Sequence, residues 1–211
     1  GVSGPLEAPA PAMPKCVALL MTDGWERTVD DAKQALVGAR AKLEAAGVKV
    51  VDKNDDDTVA ALEKSIEGTI ELSGGLNNWD FRWPMNTYAH DMDINCMSPE
   101  AQERLIAAEA MSHEDYQALV LKRRGLRSAY DGLQNQFDVC VTLSAPGPAP
   151  VGLEWTGDAV YAVPSSVLGT PSFSLPVLEA EGMPLGLQVM GYADQDAKAF
   201  AAARAIFELY S

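Results

Sequence analysis

The 211-residue chain is long enough for one large domain or two small ones, and at this size about 70% of the unfolded chain's surface can be hidden without staples. Its apolar fraction of 47% and charged fraction of 22% are those of an ordinary water-soluble domain, and its net charge of −14 argues against nucleic acid or an anionic membrane as partner. Cys16, Cys96 and Cys140 are odd in number and far apart, with no CxxC pair, so zinc and redox-motif readings are weak. Cys16 and Cys140 sit in apolar runs and read as small buried hydrophobes of a reducing, cytoplasmic protein. No apolar run reaches membrane-spanning length, and the opening lacks the pattern of a signal peptide.

Residues 1–14, rich in Pro, Gly and Ala, read as a linker-like lead, and residues 15–211 as the folded part. Val17 to Met21 is a continuous apolar run, consistent with a strand covered on both faces. Thr28 followed by Asp31 resembles a capping box, and apolar residues at 32, 35, 36, 39, 43 and 46 make one helical stripe. Gly47 stands where a left-handed residue ends the helix, and Val48, Val50 and Val51 form a second strand. Strand, helix, strand at this spacing predicts a parallel crossover.

DKNDDDT at 52–58 reads as a solvated turn with Asp57 or Thr58 as the cap of a helix over 59–72. GGLNNWDFRWPMNTYAHDMD has glycines, large aromatics and no clean period, so it reads as a helix-poor connection with exposed aromatic rings. Ser98 with Pro99 opens a further helix, and Ser112 with Asp115 a longer one. Tyr116, Leu119, Val120, Leu126, Tyr130 and Leu133 mark that longer helix's inner face. Phe137 to Leu143 is a third buried strand, running into the proline-rich SAPGPAPVGL. Strands over 172–177 and 185–190, joined by LEAEGMP, precede a closing amphipathic helix over 195–209. The fold class is therefore α/β: a mixed sheet flanked by helices, with an antiparallel pair near the end.

The sequence contains no GxSxG elbow, SxxK, HExxH helix or phosphate-binding glycine loop. His113 lies at a helix start, where capping is the plain reading. Asp91, Asp93 and Asn95 have the spacing of a calcium-loop opening, but Cys96 replaces the required glycine and Gln102 the twelfth-position Glu. Neither a metal nor a cofactor is expected. Ser172 and Ser174 alternate on one strand face, and Pro171 and Pro176 mark that strand as an edge or a bulge. No lysine lies between Lys122 and Lys198, so neither serine has a local base and both read as structural or pocket-lining.

Three segments, FDVCVTLSAPGPAPVGL, GTPSFSLPV and EGMPLGLQVMG, together resemble the C-terminal part of the amidase signature family. That family shows a strand ending in Thr-x-x-x-Pro, then Gly-x-Pro-x-x-Ser-x-Pro, then Gly-x-Pro-x-Gly-x-Gln. Here these are Thr142 to Pro146, Gly169 to Pro176, and Gly182 to Gln188. KRRGLRSAYDGL is similar to the family's long helix, and LLMTDGW to the segment where the second half of such an enzyme starts.

The resemblance implies an amide hydrolase acting through a serine nucleophile, a second serine in a cis peptide, and a lysine base. Both serines belong to a glycine-rich signature, and no stretch here matches it: SGG at 73–75 lacks the serine pair, and Ser165-Ser166 is followed by Val167. No catalytic residue is assigned, and this chain alone is expected to be inactive. It reads as a C-terminal half that contributes one wall of a pocket for a small amide, with an N-terminal half, covalent or separate, as partner. Thr142 and Ser144 at a strand end, and the aromatics Trp79, Trp83 and Tyr88, are the candidate substrate-binding residues, the aromatics serving equally well as packing against the other half. The alternative is a non-catalytic binding or assembly module that keeps the fold.

Overall fold

A computed structural model describes residues 8–211. Four strands and a helix follow directly from the apolar pattern: β1 (Cys16–Leu19), α1 (Asp30–Ala45), β2 (Lys49–Val51), β3 (Val139–Leu143) and β5 (Met183–Met190). With β4 (Ser172–Ala180) they form one five-stranded sheet in the order β2-β1-β3-β5-β4. β1 runs parallel to β2 and β3, as the crossover predicts, and β5 runs antiparallel to both β3 and β4. The sheet is mixed, and the α/β reading holds.

Alternation along β3 decides the layers. Val139, Val141 and Leu143 point to one face, where they meet Leu36 and Leu43 of α1 and Ile206 of α7 (Asp196–Glu208). Cys140 points to the other, against Leu62 of α2 (Asp57–Ile66), Leu72 of α3 (Thr69–Asp91), Tyr130 of α5 (His113–Asp131) and Leu168 of α6 (Val163–Leu168). Burial pushes the Cys140 thiol up to about 11, so it is an inert filler; Cys16 is only half-buried and Cys96 is exposed.

Gly47 has φ +84° beyond the last turn of α1, as its position after the stripe predicts. A Cβ there would meet nothing within 4 Å, so the backbone alone sets the penalty. Gly47→Ala should cost about 1 kcal/mol, read as a lower denaturant midpoint at unchanged slope. An unchanged midpoint would show that the turn tolerates a side chain.

Several local expectations are corrected. Thr28 does not cap α1: Val29 holds that position with no side-chain bond, while the Thr28 hydroxyl donates to the Gly24 carbonyl (2.8 Å) and lies 2.7 Å from the Tyr161 hydroxyl. The α1 stripe is buried at 32, 36, 39 and 43, and Ala46 is exposed. Asp56, rather than Asp57 or Thr58, caps α2 by accepting from the Thr58 amide at 2.7 Å. The helix expected over 59–72 is two: α2 stops at Ile66, Gly68 turns left-handed with φ +69°, and α3 begins at Thr69.

The largest correction is the stretch read as helix-poor. It is helical through Asp91, interrupted where Trp83 turns extended (φ −112°, ψ 127°) before a cis bond to Pro84. Its period is faint because it buries only Thr69, Leu72 and Leu76 at its start, where it meets its neighbours α4 (Pro99–Ala110), α5 and α6, and leaves large rings such as Trp83 and Tyr88 exposed farther along. Ser98 and the full capping box of Ser112 with Asp115 stand as expected. On α5, Leu126 and Tyr130 are buried, as is Leu133 in the turn that follows, while Tyr116, Leu119 and Val120 are half-buried.

The terminal hairpin is longer than its apolar runs. Only Glu181 and Gly182 form the turn, both with positive φ (52° and 75°), the geometry that matches strand twist. β4 is an edge strand with an irregularity between Leu175 and Leu178, as its prolines suggest. α6, within the Ser-rich stretch, has no counterpart in the sequence reading. Of the lead segment, Pro9 accepts from Arg204 (2.6 Å) and Ala12 donates to the Ala201 carbonyl (3.0 Å), so this part lies along α7; residues 1–7 fall outside the described residues.

Candidate functional site

The C-terminal ends of parallel β1 and β3 lie side by side, and both strands release their chain into long loops there. In open α/β sheets this end is where ligands sit. The two loops are tied together: the Val29 amide donates to the Pro146 carbonyl (2.9 Å), and Arg27 pairs with Asp158 (2.8 Å). Gly147 is glycine because a Cβ would press on both Val29 methyls at 3.2 Å. Gly152 and Gly157, with φ +95° and +103°, let the 144–162 loop curl back over the strand end.

The result is an open groove of about 810 Å³, with the β4–β5 turn at one side and the two loops around it. Ser144, Leu185 and Gly186 form its floor; Val29, Val151 and Trp155 are among its walls. The Ser144 hydroxyl lies 2.7 Å from that of Ser174, and both sit over Gly186, whose missing side chain makes the room. Neither hydroxyl hydrogen-bonds a histidine, lysine or carboxylate among the described residues, so nothing here raises a serine above the nucleophilicity of an ordinary alcohol.

Thr142 and Ser144 occupy different surroundings. Ser144 lines the groove. Thr142, two residues earlier on the same strand face, is fully buried, and its hydroxyl has no hydrogen-bond partner. It stands opposite Gln188, whose side-chain amide donates to the Tyr161 carbonyl (3.2 Å) and so carries the start of α6 across the sheet. The Tyr161 hydroxyl is pushed up to about 12 by burial, against the lowering effect of its bond to Thr28, and stays protonated at neutral pH.

The three aromatics lie elsewhere, on α3, and none lines the groove. Trp79 stacks on Tyr116 of α5 (centroids 4.5 Å apart, planes at 8°), with the Arg82 guanidinium 4.0 Å from its ring centroid, so it joins two helices. Trp83 and Tyr88 are 74% and 49% exposed on the surface of α3. Ser172 and Ser174 do share a face, an exposed one, and a second groove of about 610 Å³ runs between β4 and α7 past Phe173 and Phe207. Asp93 accepts from the Asn95 amide at 3.0 Å as a local cap, and among the described residues no three His, Cys, Asp or Glu side chains converge as metal ligands would.

The groove residues missed by sequence reasoning are Arg27, Val29, Trp155, Asp158 and Gly186. They come from segments more than a hundred residues apart. The usable signal was the proline- and glycine-rich run directly after a buried strand, which extends well past Ser144.

This fold has solved counterparts among amidase signature enzymes. A structure described as a crystal structure of amidase superposes with a TM-score of 0.76 at 25% identity, covering 97% of this chain and 46% of its own. A 6-aminohexanoate cyclic dimer hydrolase shares the fold at a TM-score of 0.73 and 16% identity, covering 95% of this chain and 46% of its own. The sequence model of the Amidase family matches residues 7–200, and the chain belongs to that family. It is 29% identical over 173 residues to a glutamyl-tRNA(Gln) amidotransferase subunit from Rhizorhabdus wittichii, covering 71% of this chain and 35% of that protein. The corresponding glutamyl-tRNA(Gln) amidotransferase subunit from Clostridium botulinum strain Eklund 17B is 34% identical over 93 residues, 40% of this chain and 19% of that protein. The chain thus spans less than half the length of each of these relatives.

Proposed function

We propose that this chain forms the C-terminal half of an enzyme that hydrolyses a small carboxylic amide, the nucleophile, bridging serine and lysine base lying in an N-terminal half, covalent or separate. The observation that carries this reading is the pairing of a family match across residues 7–200 with a strand-end groove whose serines have only each other as side-chain partners. A serine of the other half attacks the amide carbonyl, the amine leaves with a proton from the lysine-linked relay, and water cleaves the acyl ester. This half supplies a pocket wall: Ser144 directly, with Thr142 holding the strand behind it. Trp83 and Tyr88, exposed on α3, serve as contact surface for the other half or for substrate, and Trp79 steadies that helix. The free cysteines suit a reducing cytoplasm, and among the described residues no helix is long and apolar enough to cross a membrane.

The test is reconstitution. The purified chain should show no amide turnover, and co-expression with the N-terminal half of a solved amidase relative should give a complex that turns over members of an amide panel. Turnover by the chain alone, lost on Ser144→Ala or Ser174→Ala, would overturn the division of labour. A stable complex without turnover would favour the non-catalytic module.

A further inference from the structure

The strand-end groove has a chemical character that narrows what it can hold. We infer that it binds the acyl part of an uncharged, apolar amide, aromatic or branched, and discriminates against amides that carry a carboxylate. This inference deepens the amidase reading and rests on it for the identity of the reacting group.

At about 810 Å³ the groove lies within the range of small-molecule sites and far exceeds what a bare amide needs. Most of that space must therefore be filled by whatever the amide is attached to. The walls available to it are apolar: Val29, Ala145, Ala149, Val151, Trp155 and Leu185. Trp155 is 61% exposed and Val151 entirely so, which leaves an indole and an isopropyl group facing the open groove without a full packing partner. An aryl or branched acyl group laid against them would remove apolar surface from water on both sides.

Charge sets the discrimination. Among the described residues three ionisable side chains line the groove: Arg27, Asp158 and Glu181. Arg27 is half-exposed and already paired through Nη1 with Asp158 at 2.8 Å, so a ligand carboxylate would have to share its guanidinium with that carboxylate. Glu181 has no cationic partner within salt-bridge distance among the described residues, and from the β4–β5 turn it adds a negative charge to the groove's lining. Among those residues no lysine or histidine lines the groove, and the chain as a whole carries −14. A ligand carboxylate would meet an unpaired like charge, a net negative field and no free cation. A neutral acyl group meets none of these costs.

The experiment reads binding without requiring turnover. The 211-residue chain is titrated with phenylacetamide and, separately, with glutaramate, a carboxylate-bearing amide. Tryptophan fluorescence is followed in the wild type and in Trp155→Phe, together with amide NMR shifts. Phenylacetamide should give a saturable fluorescence change that vanishes in Trp155→Phe, with shifts at Gly147 and Gly186. Glutaramate should bind about tenfold more weakly or worse, and Ala149→Arg, which adds a free cation at the rim, should narrow that gap.

Absence of saturation, shifts centred on another surface, a signal that persists in Trp155→Phe, a gap that Ala149→Arg leaves unchanged, or equal binding of glutaramate would overturn the inference. The two readings fail separately. A reconstituted enzyme that prefers carboxylate-bearing amides would end this inference and leave amide hydrolysis standing. Saturable phenylacetamide binding with no turnover of any amide by the assembled complex would do the reverse.

Discussion

Replacing Arg40 with methionine should lower the unfolding free energy by about 2–3 kcal/mol, the largest effect expected of any single polar substitution in the chain. Arg40 projects from α1 and holds three carboxylates: Glu44 at 2.9 Å, Asp52 at 2.5 Å and Asp55 at 2.8 Å. The Asp52 side chain is only 7% exposed, at the end of β2. Removing the guanidinium leaves that charge half-dry and uncompensated, which costs far more than a surface ion pair is worth. Because Arg40 is itself partly solvated, the figure sits below the full range for a buried pair. A second substitution, Asp52→Asn, removes the stranded charge and should recover more than half of the loss. If it recovers none, the guanidinium acts by packing.

The same cluster gives a direction with pH. Hydrogen bonding by Arg40 holds the Asp55 carboxyl below the usual carboxylate range. A group lowered in the folded state stabilises it at all pH values above its ordinary range, and that contribution is lost as pH falls through the lowered value. Acid unfolding of Arg40→Met should therefore begin closer to neutrality than that of the wild type.

Gly186→Ala should destabilise by about 2 kcal/mol, although alanine is ordinarily the better strand residue. The sign is set by space. A Cβ at 186 would collide with the Ser174 hydroxyl and would lie 2.5 Å from the Ser144 hydroxyl and 2.8 Å from the Ser144 Cβ. The hydroxyls can rotate away; the Cβ is fixed by β3, paired to β5 through the Ser144 amide and the Gly186 carbonyl at 2.9 Å. The strands must separate or the groove floor must buckle. Ser144→Gly removes both Ser144 atoms, so the double variant should regain most of the stability, as the two denaturant midpoints will show. A Gly186→Ala variant as stable as the wild type would mean that the floor is plastic.

What the sequence made legible follows from periodicity and from punctuation. β1, β3 and β5 are apolar runs buried on at least one face, and their pattern has no competing explanation. The ends of α1 and α5 are written in residues with one structural use each, Gly47 and the Ser112–Asp115 pair. α3 was illegible because its buried positions are confined to its start, so no stripe runs its length, and its Trp-Pro pair mimics a loop. Thr28 misled for a different reason: a hydroxyl near a helix start can be used elsewhere, and here the start of α6 claims it through Tyr161.

The site divides in the same way. Ser144 could be placed because it ends a recognisable strand, whereas Trp155 and Gly186 come to line one groove only through the folding of the loop after β3 beside β5. The α3 aromatics carry no positional signal of that kind. Large rings in an aperiodic stretch are equally compatible with stacking between helices, as Trp79 does, and with lying exposed, as Trp83 does.

The sheet ends unequally. β2 spans only three residues beside the Arg40 cluster, whereas β4 offers nine, with serines on its open face. Pro176 and the irregularity between Leu175 and Leu178 interrupt that edge, two devices that keep an exposed strand from pairing with another copy of itself. A formal charge of −14 adds repulsion between copies, which reaches roughly 8 Å at physiological ionic strength and about 3 Å in molar salt. At high salt the interrupted edge is the guard that remains.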